Sequence, residues 1–132
     1  MRIVASLLGL SWLALPISAA PPAPSESELI ARLIAGFKDP DPDVRANLAQ
    51  ALAKIGPTAV EQLMGALDDP LPERRAGAAY ALGLLGTSAK SALPKLLDLL
   101  EDKETDVRRQ ASQAIVRVLP SAKPPAKPTG GR

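Results

Sequence analysis

From residue 26 to residue 119 the apolar side chains recur at spacings of three and four, the pattern of helices that each bury one face. The pattern is itself repeated. Segments Asp41–Gly56, Leu71–Gly86 and Glu104–Leu119 superimpose at offsets of 30 and then 33 residues. Each opens a helix with an arginine at the same place: Arg45, Arg75 and Arg108. The first of these A helices is expected to bury Val44, Leu48, Leu52 and Ile55, and the last Val107, Ala111, Ile115 and Val118. A second set, the B helices, places Ile30, Leu33, Ile34 and Phe37 in register with Val60, Leu63, Met64 and Leu67. Leu93, Leu96, Leu97 and Leu100 continue that register. The three extra residues of the longer offset fall in Thr87–Ala92, where a turn absorbs them.

Residues at the segment ends agree with this division. Asp41 suits an N-cap, and Pro42 suits the first helical position, where its missing N–H is not needed. Asp43 and Asp106 put negative charge in a first turn, opposite the helix dipole. Gly56 and Gly86 are expected to close A helices as left-handed C-caps. Short connections then make consecutive helices antiparallel. The expected fold is all-α, a short α-solenoid (an α-α superhelix) of about three helical hairpins.

The run Asp41-Pro42, Val44-Arg45, Ala51-Leu52, Ile55-Gly56 resembles the HEAT repeat family, in particular the short HEAT-like repeats first associated with phycobilin lyases. The resemblance covers about 95 of the 132 residues. It implies that the B helices line a concave face and that each recurrent arginine links neighbouring repeats through a carboxylate or carbonyl. It also implies a protein or peptide partner. Three departures stand out: Leu71 in place of the capping Asp, Arg74 in place of the apolar Val, and Leu119-Pro120 in place of the closing Gly.

Both ends lie outside the repeat. Arg2, the apolar run Ile3–Leu15, Pro16 and the small residues Ser18, Ala19 and Ala20 have the layout of a secretory signal peptide. The run is too short for a membrane span of about 20 residues. Cleavage is expected after Ala19, which leaves a periplasmic or secreted protein with no membrane attachment. An uncleaved segment would instead serve as an anchor. Residues 20–25 read as a Pro-rich linker and 26–120 as the repeat domain. Residues 121–132, Pro- and Gly-rich with three cations and no large apolar side chain, are expected to be a disordered tail.

Composition narrows the chemistry. With no Cys and no His, thiol nucleophiles, disulfides, imidazole bases and Cys/His zinc sites are excluded. Arg2, Lys123, Lys127 and Arg132 hold four of the 16 positive charges, so 12 bases face 14 acids in the repeat domain. That balance, without basic stretches interleaved with aromatics, removes the case for nucleic acid. No carboxylate pair is expected in an apolar pocket. The chain is accordingly read as a non-enzyme without a cofactor or metal. The acids of the B-to-A turns (Asp39, Asp41, Asp43; Asp68, Asp69, Glu73; Asp102, Glu104, Asp106) read as helix caps, with a calcium-binding edge as the alternative.

Candidate partner-binding residues follow from the register. Arg32, Gln62 and Lys95 form one row across the B helices, and Ala35, Gly65 and Asp98 a second. Gly65 inside a helix costs about 1 kcal/mol relative to Ala, so either tight packing or close approach of a ligand is expected there. Tyr80, in register with Gln50 and Gln113 at an exposed position of the A helix, reads as a half-buried surface tyrosine, with an interface anchor as the alternative. On the last A helix, Ile115 and Val116 are expected to form an apolar strip for self-association or partner docking, unless the helix turns to bury them. The functional expectation is an exported interaction module, an adaptor or assembly scaffold. The alternative is a non-catalytic accessory subunit of an enzyme.

Overall fold

A computed structural model describes residues 19–123, so the signal-like segment and most of the Pro/Gly-rich tail lie outside the described residues. Six α-helices and no strand occur among the described residues: α1 (Glu26–Ala35), α2 (Pro42–Ile55), α3 (Val60–Ala66), α4 (Pro72–Leu85), α5 (Leu93–Asp98) and α6 (Thr105–Val118). The B helices are short and are extended by 3₁₀ turns: Gly36–Lys38 after α1, Pro57–Ala59 before α3, and Gly86–Ala92 and Leu99–Glu101 around α5. The three extra residues of the third hairpin lie in the 3₁₀ run that precedes α5, which kinks at Ala89.

The helices pair as three antiparallel hairpins, α1–α2, α3–α4 and α5–α6, stacked so that α2, α4 and α6 form one layer and α1, α3 and α5 the other. This is a short all-α solenoid. Local chemistry sets the helix starts. Ser25 Oγ accepts from Glu28 N–H, and Asp41 Oδ1 accepts from Asp43 N–H at 2.8 Å, with Pro42 behind it at the first helical position. Residues 20–24 precede α1 without regular structure and are exposed.

The central helix α4 is covered on most sides, which explains its composition. Gly77, Ala78, Ala79, Ala81, Leu82 and Gly83 are all buried, and small side chains let α2 and α6 approach it together. The backbone of α6 comes close: a β-carbon on Gly83 would lie 3.0 Å from Ala114 Cα. Ile30, Phe37, Leu52, Leu63, Leu67, Leu82, Leu96, Val107 and Val118 supply the large side chains of one continuous core.

Four sequence expectations are corrected. Val44 is exposed rather than buried, because it faces the side of α2 that no preceding hairpin covers. Leu97 and Leu100 are exposed, whereas Met64 is half-buried and Leu67 buried at the corresponding positions; Leu96 is buried as expected, and Leu99 joins it in the core. Gly56 and Gly86 do take positive φ (97° and 59°), but with ψ of −154° and −133°, so each ends its helix in an extended turn rather than a left-handed cap. Ile115 is half-buried against the core and Val118 fully buried. The exposed apolar residues of the last turns are Val116 and Leu119.

Candidate interaction surfaces

The acidic turns are built by one repeated device. Asp39, Asp69 and Asp102 each accept, through Oδ1, the backbone N–H two residues on (Asp41, Leu71 and Glu104), at 2.9 Å in all three hairpins. The recurrent arginines close the same turns from inside. Arg45 Nη1 donates to the carbonyls of Asp39 and Pro40, Arg75 Nη1 to those of Asp69 and Pro70, and Arg108 Nη1 to those of Asp102 and Lys103. Each arginine therefore holds its own turn. Only Arg75 also links neighbouring hairpins as the resemblance implied: Nε and Nη2 grip both oxygens of Asp102, at 2.8 and 3.0 Å, in a largely buried fork.

These bonds set the electrostatics. The Arg75 guanidinium holds the Asp102 carboxyl below its ordinary value, against the opposing effect of burial, and the Glu104 N–H adds to it. Asp69 is also held low, first by the Leu71 N–H and then, after burial works against it, by Arg74. Leu71 starts α4 without a side-chain cap: Asp69 makes the same turn bond as Asp39, but nothing replaces the Asp41-type bond to the N–H two residues into the helix. One carboxylate oxygen at Asp39 and both at Asp69 and Asp102 thus already accept N–H groups.

The two candidate rows on the α1/α3/α5 layer have different roles. In the first, Gln62 Nε2 reaches back to Ser27, Lys95 Nζ reaches back to the Met64 carbonyl and Asp68 carboxylate, and Arg32 pairs with Glu28 one turn earlier. Gln62 and Lys95 therefore fasten one hairpin to the one before it. In the second row Ala35, Gly65 and Asp98 are all exposed. A β-carbon on Gly65 would meet no atom within 4 Å, so the tight-packing explanation for this glycine is removed.

The α2/α4/α6 layer carries a groove that the sequence did not disclose. Its volume is about 480 Å³, and it runs over Ala76 and Gly77 between Arg45 and Ala46 on one side and Asp106, Arg109 and Gln110 on the other. Tyr80 lies in this groove, half-buried as expected, 5.8 Å from the guanidinium carbon of Arg117. Its charges are largely matched: Arg109 pairs with Asp106, and Arg45 with its turn carbonyls. Gln110 Oε1 is buried there without a partner. The signal for this groove was the Ala76-Gly77 pair, small residues facing two neighbouring helices, and it shows only once the stacking order is known.

The sequence profile of HEAT repeats matches residues 30–116, which run from α1 into the last turn of α6. The chain belongs to the HEAT-repeat family. HEAT repeats generally mediate protein–protein interaction and are typically non-catalytic. A comparison with curated proteins finds no match. The HEAT hairpins here are held by turn-closing arginines and hairpin-to-hairpin fasteners, and among the described residues no group of three potential metal ligands converges.

Proposed function

We propose that this HEAT-repeat chain is an exported interaction module, an adaptor or assembly scaffold, that binds an extended peptide or partner helix across the α1/α3/α5 layer. Gly65 carries the reading. It sits in the last turn of α3, where glycine costs up to about 1 kcal/mol relative to Ala, and the space beyond it is open. A partner backbone approaching Ala35 and Gly65 gives that glycine a role that internal packing does not. Asp98 continues the row and supplies a polar contact at its end. Export rests on Arg2, the apolar run Ile3–Leu15 and the small residues at 18–20.

A second location for the partner is the groove beside Tyr80, favoured by the unpartnered Gln110 Oε1. Two variants separate these faces. Gly65→Leu fills open space and should keep helicity and leave Tm no lower than wild type while proteins captured by the wild type are lost; Tyr80→Ala should leave that capture intact. Capture of the same proteins by wild type and Gly65→Leu, measured by mass spectrometry, would refute the α1/α3/α5 site. Export is tested by N-terminal sequencing of the mature protein, expected to begin at Ala20. An intact Met1 in material recovered from the cytoplasm would remove that part of the reading.

A further inference from the structure

Among the described residues, six of the seven large apolar side chains that are exposed lie on the two outermost hairpins of the stack. Their places in the repeat are not random. Leu100 is exposed where its equivalents Phe37 and Leu67 are buried, and Leu97 is 53% exposed where Ile34 and Met64 are half-buried. Val116 is 75% exposed at the place where Gly83 of α4 lies against Ala114 of the following hairpin. Leu97 and Leu100 are therefore positions through which one hairpin receives the next; Val116 is larger than the residue at its place in the α4–α6 joint, where even a β-carbon would lie 3.0 Å from Ala114 Cα, so a hairpin received there sits further out. At the other end, Leu29 and Val44 are 40% and 37% exposed, while of their equivalents in later hairpins Ala59, Ala92 and Val107 are fully buried and Arg74 is half-buried. These are positions through which a hairpin docks onto the one before it. Terminal repeats normally present polar outer faces. Both ends here remain apolar.

The charges at the two ends fit the same joint. Between the second and third hairpins, Arg75 grips Asp102, and Lys95 reaches back to the Met64 carbonyl and Asp68. One repeat further on, the receiving groups are Arg108, the Leu97 carbonyl and Glu101. The groups at the places of Asp102 and Lys95 in the first hairpin are Asp39 and Arg32. Among the described residues the free edge of Arg108 meets no carboxylate, only Thr105 Oγ1. Arg32 is exposed and, among the described residues, pairs with Glu28 on its own helix.

We propose that the α5–α6 end of the stack is a docking surface for the α1–α2 hairpin of a second copy of this chain, joined head to tail as a continuation of the solenoid. Leu97, Leu100 and Val116 of one copy cover Leu29 and Val44 of the next. Arg108 takes Asp39 of that copy, and Glu101 with the Leu97 carbonyl takes its Arg32. Opposite charges at both ends of the joint fix its register. Such a contact is heterologous, so it propagates into a filament or closes as a ring instead of stopping at a dimer. The proposal does not rest on the partner site at Gly65, which lies on a side face of the stack.

The test uses two blocked variants of the full chain: Leu97→Glu with Val116→Glu at the receiving end, and Leu29→Glu with Val44→Glu at the docking end. All four side chains are exposed, and circular dichroism checks that both variants keep wild-type helicity. In sedimentation velocity the wild-type mass should climb with concentration beyond the dimer, and each blocked variant should remain monomeric. Mixed in equal amounts, the two variants should form a 1:1 heterodimer and nothing larger, because one good face remains on each. Arg32→Glu and Glu101→Arg should each weaken assembly by about tenfold or more, and combining them in one chain should restore it. A wild type that stays monomeric at about 1 mM would overturn the proposal. So would a docking-end variant that assembles like wild type, which would mean a symmetric contact between last hairpins, or a mixture that yields no heterodimer.

Discussion

Phe37 of the first hairpin packs directly over Gly77 of α4: a β-carbon at residue 77 would lie 2.5 Å from Phe37 Cγ. The ring is fully buried and contacts α4 only because that helix has no side chain at this point. Gly77→Ala should therefore destabilise the fold by about 1–3 kcal/mol, as overpacking does, despite the better helix propensity of Ala. Chemical denaturation reads this directly. A stabilised Gly77→Ala would mean that the first hairpin is not seated on α4 as described.

The same substitution should have the opposite sign at Gly65. Nothing lies within 4 Å of its missing β-carbon, and its backbone is not in the positive-φ region. Gly65→Ala should stabilise by roughly 0.5–1 kcal/mol through helix propensity and reduced unfolded-state entropy. A loss of stability measured in the same urea titration would show that α3 packs more tightly than the structure allows.

Asp102→Ala removes both acceptors of the Arg75 fork and leaves a largely buried guanidinium facing none. Arg75 retains the Asp69 and Pro70 carbonyls, so the cost should be about 3 kcal/mol, at the low end for a broken buried pair. Asp102→Asn should cost less. Equal stability of Asp102→Ala and wild type in thermal melts would place this ion pair outside the energetics of the joint.

Acid should loosen the same joint. The folded-state pKa of Asp102 is depressed by Arg75 from an ordinary 3.8, and that of Asp69 by the Leu71 N–H. Depressed carboxylates contribute stability that is fully present above the unfolded value and is lost as pH falls through the folded one. Stability should thus be flat with respect to these two groups near neutrality and decline below about pH 4. Asp102→Asn should make that decline shallower. Parallel acid limbs for wild type and Asp102→Asn in pH-dependent denaturation would count against the assignment.

Leu52 and Leu82 occupy equivalent positions in α2 and α4, and both are fully buried. Truncation of either to Ala should cost about 2–5 kcal/mol. Near-neutral effects at both positions would mean that the register of the A helices is wrong.

The hairpin repeat was legible in the sequence because its causes are local. Spacing of apolar residues sets which face of each helix is buried, Asp41-Pro42 starts a helix wherever it stands, and Gly56 ends one because it can take positive φ. The periods of 30 and 33 residues then fixed the number and order of hairpins. Which apolar positions find cover depends on neighbours from other hairpins, so only the tertiary structure decided it. Leu67 and Leu100 have the same place in the repeat, yet Leu100 is exposed because the described stack ends beyond it. Gly65 and Gly77 are both helical glycines, but only Gly77 meets another side chain. Arg45, Arg75 and Arg108 hold equivalent positions, and only Arg75 has a carboxylate of the next turn within reach of its free edge. In each case a local pattern places a side chain on a face, while burial and pairing are properties of the two surfaces that meet there.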